Sequence, residues 1–203
     1  MATSGLQILG FFLSLVGIAA TIAAMVMVEW KKTAQGKYRS YEGFWMSCTA
    51  AQHRATCESY QSILKVQTEI QVTRAVLLVS LILSALAILV STVGMKCTHF
   101  MDDAAESKSN TAMMGGIMFI LSGLLTIIIT SWFVKTIIQS SYNSIHMIRP
   151  EFGNAPFVSW IGGLLTAVGG CFLSCRRCWR SKATGSINVR HLIPTNKPKA
   201  DYV

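Results

Sequence analysis

Apolar positions along the chain fall into four blocks that contain no charged side chain: Gly5 to Val28, Ala75 to Met95, Ser109 to Val134 and Phe152 to Cys175. Each block holds 21 to 26 residues. A helix rising ~1.5 Å per residue needs about 20 of them to cross a ~30 Å hydrocarbon layer. Core helices of a soluble domain are neither this long nor this numerous. The pattern therefore predicts four membrane spans, at about 5–28, 75–95, 109–134 and 152–175. The first block reads as a retained span, not a cleaved leader, because its apolar run is too long and Met-Ala-Thr-Ser-Gly supplies no basic n-region.

The segments between the blocks follow other periods. Residues 29–74 form a first loop long enough to fold, residues 135–151 a modest second one, and 96–108 a short polar connection on the opposite side. Phe44, Met46 and Cys48 alternate with Trp45, Ser47 and Thr49, a period of two that suits a strand. Cys48 and Cys57 lie close enough for a disulfide stapling a two-stranded hairpin. Ile63, Val66 and Ile70 recur at helical spacing and predict a short amphipathic helix on the membrane surface. From Trp179 onward the chain is polar, basic and interrupted by Pro194 and Pro198, which predicts disorder. The division is thus a four-pass domain over 1–178 and a tail over 179–203.

Small residues mark the packing faces. Gly10, Ser14, Gly17, Thr21 and Ala24 share one face of the first span, and Ser80, Ser84, Ala87 and Ser91 one face of the second. Glycine pairs occur at Gly115-Gly116, Gly162-Gly163 and Gly169-Gly170. Such residues let helices approach closely where lipid provides no hydrophobic drive. A pore through the bundle would need ionisable groups within the spans, and there are none. The bundle is predicted to be a scaffold.

Composition agrees, with 52% hydrophobic and only 13% charged residues, where soluble chains carry about 25% charged. The net charge of +9 does not orient the molecule, since the chain beyond the fourth span, from Arg176 onward, and the first loop each hold seven Lys and Arg. The cysteines break the tie. A Cys48–Cys57 bridge persists only on the oxidising side, whereas Cys97, Cys175 and Cys178 sit at the opposite membrane edge. Both termini are expected in the cytoplasm, with Cys97, Cys175 and Cys178 as palmitoylation candidates.

No nucleophile–base pair, carboxylate dyad or phosphate loop is visible, so an enzyme is not expected. His53 lies between Cys48 and Cys57 without the further ligands a zinc site requires, and Cys175-x2-Cys178 has no second pair. No metal, cofactor or nucleic-acid partner is predicted.

Trp30, Gly43-Phe44-Trp45, Cys48, Cys57 and Arg74 together resemble the claudin signature: a Trp, then Gly-Leu-Trp, two cysteines and an Arg. Tyr41 to Cys48, Thr92 to Thr98, Glu151-Phe152-Gly153 and the terminal Asp201-Tyr202-Val203 extend the similarity over nearly the whole chain. The pattern is most similar to the branch containing claudins one and nineteen. The first loop is shortened, and Ser141-Tyr142-Asn143-Ser144 keeps one aromatic where the family usually has two.

The resemblance implies a membrane all-α four-helix bundle carrying a small extracellular antiparallel β-sheet. It also implies a tight-junction protein of the plasma membrane that polymerises into strands with other claudins, in cis and in trans, and controls paracellular permeability. Ile63 and Tyr142 become candidates for strand assembly. Asp201, Tyr202 and Val203 become a PDZ-binding end for scaffolds of the zonula occludens type. Glu58 takes the position of an acid that faces the pathway in cation-selective members, and a mild cation preference follows. The segment from Trp30 to Arg74 nevertheless holds seven basic residues against Glu42, Glu58 and Glu69, a balance of +4 that opposes it. The alternative reading is a tetraspan auxiliary subunit of a channel or receptor. A myelin-type relative is disfavoured by the lack of any Asn-x-Ser/Thr sequon.

Overall fold

The computed structural model describes residues 2–35, 38–51, 54–60, 66–94, 105–143 and 149–188. Four long helices dominate it: α1 (Ala2–Val26), α2 (Thr68–Gly94), α3 (Ala105–Asn143) and α4 (Ala155–Asn188). Each contains a segment long and apolar enough to cross a bilayer. The helices outrun the charge-free blocks. α2 begins at Thr68 instead of Ala75, α3 carries on through Asn143, and α4 is helical past Trp179. Charge marks where lipid ends, but a helical hydrogen-bond ladder closes equally well in water and continues until a breaker stops it.

The helices pack α2 on α3, α3 on α4 and α4 on α1, while α1 and α2 touch only sparsely. The predicted small-residue faces make these seams. Gly10 and Gly17 bring α1 against the backbone of α4, Gly123 and Gly163 join α3 to α4, and Gly94 lies against Ala112. Most hydroxyls on the same faces are satisfied in one of two ways, while the Ser91 and Ser174 hydroxyls are buried against neighbouring helices without a hydrogen-bond partner among the described residues. Ser14, Thr21 and Thr166 donate back to Gly10, Gly17 and Gly162 carbonyls at 3.0, 3.0 and 2.8 Å. Others bond between helices: Ser80 donates to the Ser122 carbonyl at 2.9 Å, Ser84 meets the Ser122 hydroxyl at 2.6 Å, and Thr130 meets Ser159 at 2.9 Å. In lipid each such bond is worth about 0.6 kcal/mol on average, so they fix register more than they drive association.

At one end of the bundle sits a five-stranded antiparallel sheet of order β4-β3-β2-β1-β5. Its strands are β1 (Lys31–Gln35), β2 (Tyr38–Glu42), β3 (Met46–Ala51), β4 (Arg54–Ser59) and β5 (Arg149–Phe152). The predicted stapled hairpin is β3–β4, with Cys48 and Cys57 opposite each other in register and joined as a disulfide. The β1–β2 hairpin and the contribution of β5 were not anticipated from periodicity. Lys31–Gln35 and Tyr38–Glu42 are polar on both faces, which erases the alternation that reveals a half-buried strand. Of the predicted surface helix, Ile63 lies outside the described residues and Val66 is described as non-helical, ahead of α2. Ile70, assigned to it, belongs instead to the first turn of α2 and is buried with Trp30 and Leu77.

The α1–α4 seam leaves no room for a side chain at Gly17, where a Cβ would come within 2.6 Å of the Gly162 carbonyl oxygen. Gly17→Val is expected to force the helices apart and to lower stability by about 1–3 kcal/mol. Thermal unfolding in detergent measures this. Gly5→Val, at a position with nothing within 4 Å, is the matched control and is expected to leave the transition in place.

Candidate functional site

The sheet's position is set by the residue that leaves α1. Trp30 is 1% exposed, and its indole Nε1 donates to the Ala24 carbonyl at 2.7 Å, satisfying one of the unpaired carbonyls at the helix end. Its ring lies 4.1 Å from Phe44 and meets Phe133 of α3 edge-on at 5.5 Å. The backbone is tied in at the same place. Trp30 N–H donates to the Glu42 carbonyl, while the Trp30 and Glu29 carbonyls accept from Gly153 and Ala155, each at 3.2 Å. Two glycines are required by close approach. A Cβ at Gly43 would lie 2.8 Å from Val28 Cα, and one at Gly153 would collide with the Glu29 carbonyl. The last signature pair meets beside this cluster, with the Arg74 guanidinium 4.0 Å over the Trp45 ring, a cation–π contact.

The structure thus brings Trp30, Gly43, Phe44, Trp45 and Arg74 into one assembly. It adds partners that sequence reasoning had missed: Ala24, Phe133 and Tyr60. Tyr60 donates to the Gly43 carbonyl at 3.3 Å, and burial, reinforced by the Glu42 carboxylate, pushes its phenol above the ordinary value. Phe133 and Tyr60 carry no sequence signal, because each is an ordinary aromatic residue made special only by contact, and Ala24 is legible in the sequence only as a small residue of the packing face.

Glu58 stands apart from this cluster. It is an exposed residue on β4, which pairs only with β3 and so forms one edge of the sheet. Registers align Lys31, Glu42, Ser47 and Glu58 in one row across four strands. At ~4.8 Å per strand, Lys31 lies about 14 Å from Glu58, beyond the ~8 Å Debye length of physiological salt. Lys31 is moreover paired with Glu42 at 3.3 Å, and Lys32 with Glu29 at 3.2 Å. Arg74 is committed to the Trp45 face. Lys31, Lys32 and Arg74 are thus engaged away from Glu58.

Tyr142 ends α3 with 87% of its surface exposed. It borders a cleft of about 340 Å³ together with Ile137, Ile138, Glu151 and Phe152. Ile63, the other assembly candidate, lies outside the described residues, as do Cys97 and the terminal Asp201, Tyr202 and Val203. Cys175 and Cys178 are placed on the backbone of α4 only.

A four-helix membrane bundle seating a disulfide-stapled sheet through a buried Trp defines a multi-pass membrane protein with a folded domain at one end of its bundle. Residues 4–173 match the family described as PMP-22/EMP/MP20/Claudin. The chain is 36% identical to Claudin-7 of Homo sapiens over 215 aligned residues that cover 100% of both chains. It is likewise 36% identical to Claudin-1 of Mus musculus with 100% of both covered. With Claudin-19 of Mus musculus it shares 38% over 184 residues, 86% of this chain and 82% of the relative. The chain belongs to the PMP-22/EMP/MP20/Claudin family, as a claudin: a multi-pass structural protein of the tight junction that assembles with other claudins, not an enzyme.

The β3–β4 staple generates a direct expectation. Closing so short a loop contributes about 2–3 kcal/mol in the chain-entropy model. Cys48→Ser, Cys57→Ser and the double variant are each expected to lose that amount, with no further loss in the double. Thermal midpoints under non-reducing conditions read it, and a reductant should shift only the parent.

Proposed function

We propose that this claudin forms tight-junction strands acting as a barrier with a mild cation preference, and that the preference resides in Glu58. The observation that carries the reading is an exposed carboxylate on the edge strand of a stapled sheet, three strands from Lys31, which is itself paired with Glu42. A carboxylate fixed beside a narrow aqueous path attracts cations and repels chloride, and the rigid sheet keeps it there. Ile63 and Tyr142 are proposed to join neighbouring molecules within a strand, and the exposure of Tyr142 supports this. The disulfide on the sheet supports an oxidising exterior for that end and hence cytoplasmic termini. On that side Cys97, Cys175 and Cys178 are proposed to carry palmitate.

Dilution potentials across monolayers expressing the parent or Glu58→Lys test the selectivity. Losing ~1 kcal/mol of attraction corresponds to a fall of about five-fold in the sodium-to-chloride permeability ratio. An unchanged ratio, in cells where freeze-fracture shows strands for both forms, would remove Glu58 from the pathway. Absence of strands from the parent in claudin-free cells would favour an auxiliary subunit instead.

The tail is proposed to engage PDZ scaffolds of the zonula occludens type, through a terminal carboxylate and the apolar Val203. Deleting Tyr202 and Val203 is expected to abolish binding of the scaffold's isolated PDZ domains in a pull-down while leaving surface delivery intact. Undiminished binding would sink the assignment.

A further inference from the structure

Arg74 occupies an unusual place for a cation. It immediately precedes the charge-free stretch that opens at Ala75, so it stands where the hydrocarbon ends and the headgroup layer begins. Among the described residues it forms no ion pair. Its guanidinium lies over the face of Trp45, an interaction that supplies no acceptor and leaves the in-plane N–H donors available. Trp45 is itself 39% exposed, as befits an amphipathic ring at the interface.

Beside the guanidinium runs a groove of about 240 Å³ whose wall, among the described residues, is otherwise apolar except for Gln71. Val66, Ile70 and Phe44 line its outer part, and Ala75 and Leu78 carry it one turn down α2, to the depth of the hydrocarbon, where Leu78 is 38% exposed. The molecule thus presents a fork of unpaired donors at headgroup height, continuous with an apolar slot leading into the bilayer. A phosphodiester complements the first feature and an acyl chain the second. One molecule carries both.

We infer that this groove binds one outer-leaflet phospholipid, its phosphate on the Arg74 guanidinium and an acyl chain along α2 towards Leu78. The bound lipid joins the underside of the sheet, through Trp45, to the first turns of α2. A free phosphate would satisfy only the cation, and a second protein copy would need an acid at headgroup height.

Native mass spectrometry of the full chain in detergent, with added phosphatidylcholine, tests this. Diacylglycerol of the same chains removes the phosphate, and glycerophosphocholine removes the chains. The wild-type chain is expected to retain one phosphatidylcholine about ten-fold more firmly than diacylglycerol, the scale of a charge-assisted contact. Glycerophosphocholine is expected to leave no adduct. Arg74→Gln should reduce phosphatidylcholine to the diacylglycerol level, and Ala75→Trp, which places bulk at the rim, should lower retention with Arg74 intact. Equal retention of diacylglycerol and phosphatidylcholine by the wild-type chain overturns the inference whatever the variants do. So does retention of glycerophosphocholine as firm as that of the whole lipid, which would mark a soluble-anion site. Dimers in place of lipid adducts would assign the groove to a second copy and overturn it equally.

Discussion

The buried Trp30 is the contact on which the arrangement of sheet and bundle depends. It stands where α1 stops and β1 is about to start, and it is used in three directions at once. Its indole N–H closes the end of α1 on the Ala24 carbonyl, its ring fills the space between Phe44 and Phe133, and its backbone holds Glu42 and Gly153. Each bond alone contributes modestly, since a net intramolecular hydrogen bond is worth about 1 kcal/mol. Together they leave the sheet one orientation over the helices. The flanking glycines serve the same end, because Gly43 and Gly153 allow strands from two different loops to lie against the Val28–Glu29 backbone.

Below that seat, the bundle is held by proximity. The Gly10, Gly17, Gly123 and Gly163 contacts remove the side chains that would hold helices apart, and serine and threonine hydroxyls occupy the seams without exposing a polar group to lipid. This explains why the spans lack ionisable residues and yet are specific in their pairing. Dispersion and local hydroxyl bonds set the partners, and the chemistry that meets other molecules is displaced to the outer end.

Electrostatics in that outer layer follow register more closely than composition. Three of the loop's basic residues have local partners: Lys31 in Glu42, Lys32 in Glu29 and the Tyr41 ring, Arg74 in the Trp45 ring. Glu58 lies three strands from Lys31, on the β4 edge. A charge count cannot separate these cases, because screening makes the distance between strands decisive.

Four spans, their small-residue faces and the Cys48–Cys57 hairpin were legible in the sequence because each obeys a short-range rule: a run of uncharged residues, a 3.6-residue stripe, a two-residue alternation. The signature residues Trp30, Gly43, Trp45 and Arg74 could be recognised there as a set, but not explained. Their roles depend on neighbours distant along the chain, such as Phe133 beneath Trp30 and Glu29 beneath Gly153. Strands β1 and β2 stayed hidden because their side chains are polar on both faces. The helices run beyond the charge-free spans because charge reports the lipid boundary while backbone hydrogen bonds report the helix. The pairing order of the helices, the row that isolates Glu58 and the groove beside Arg74 exist only in three dimensions. They are sums of contacts between segments whose sequences contain no record of one another.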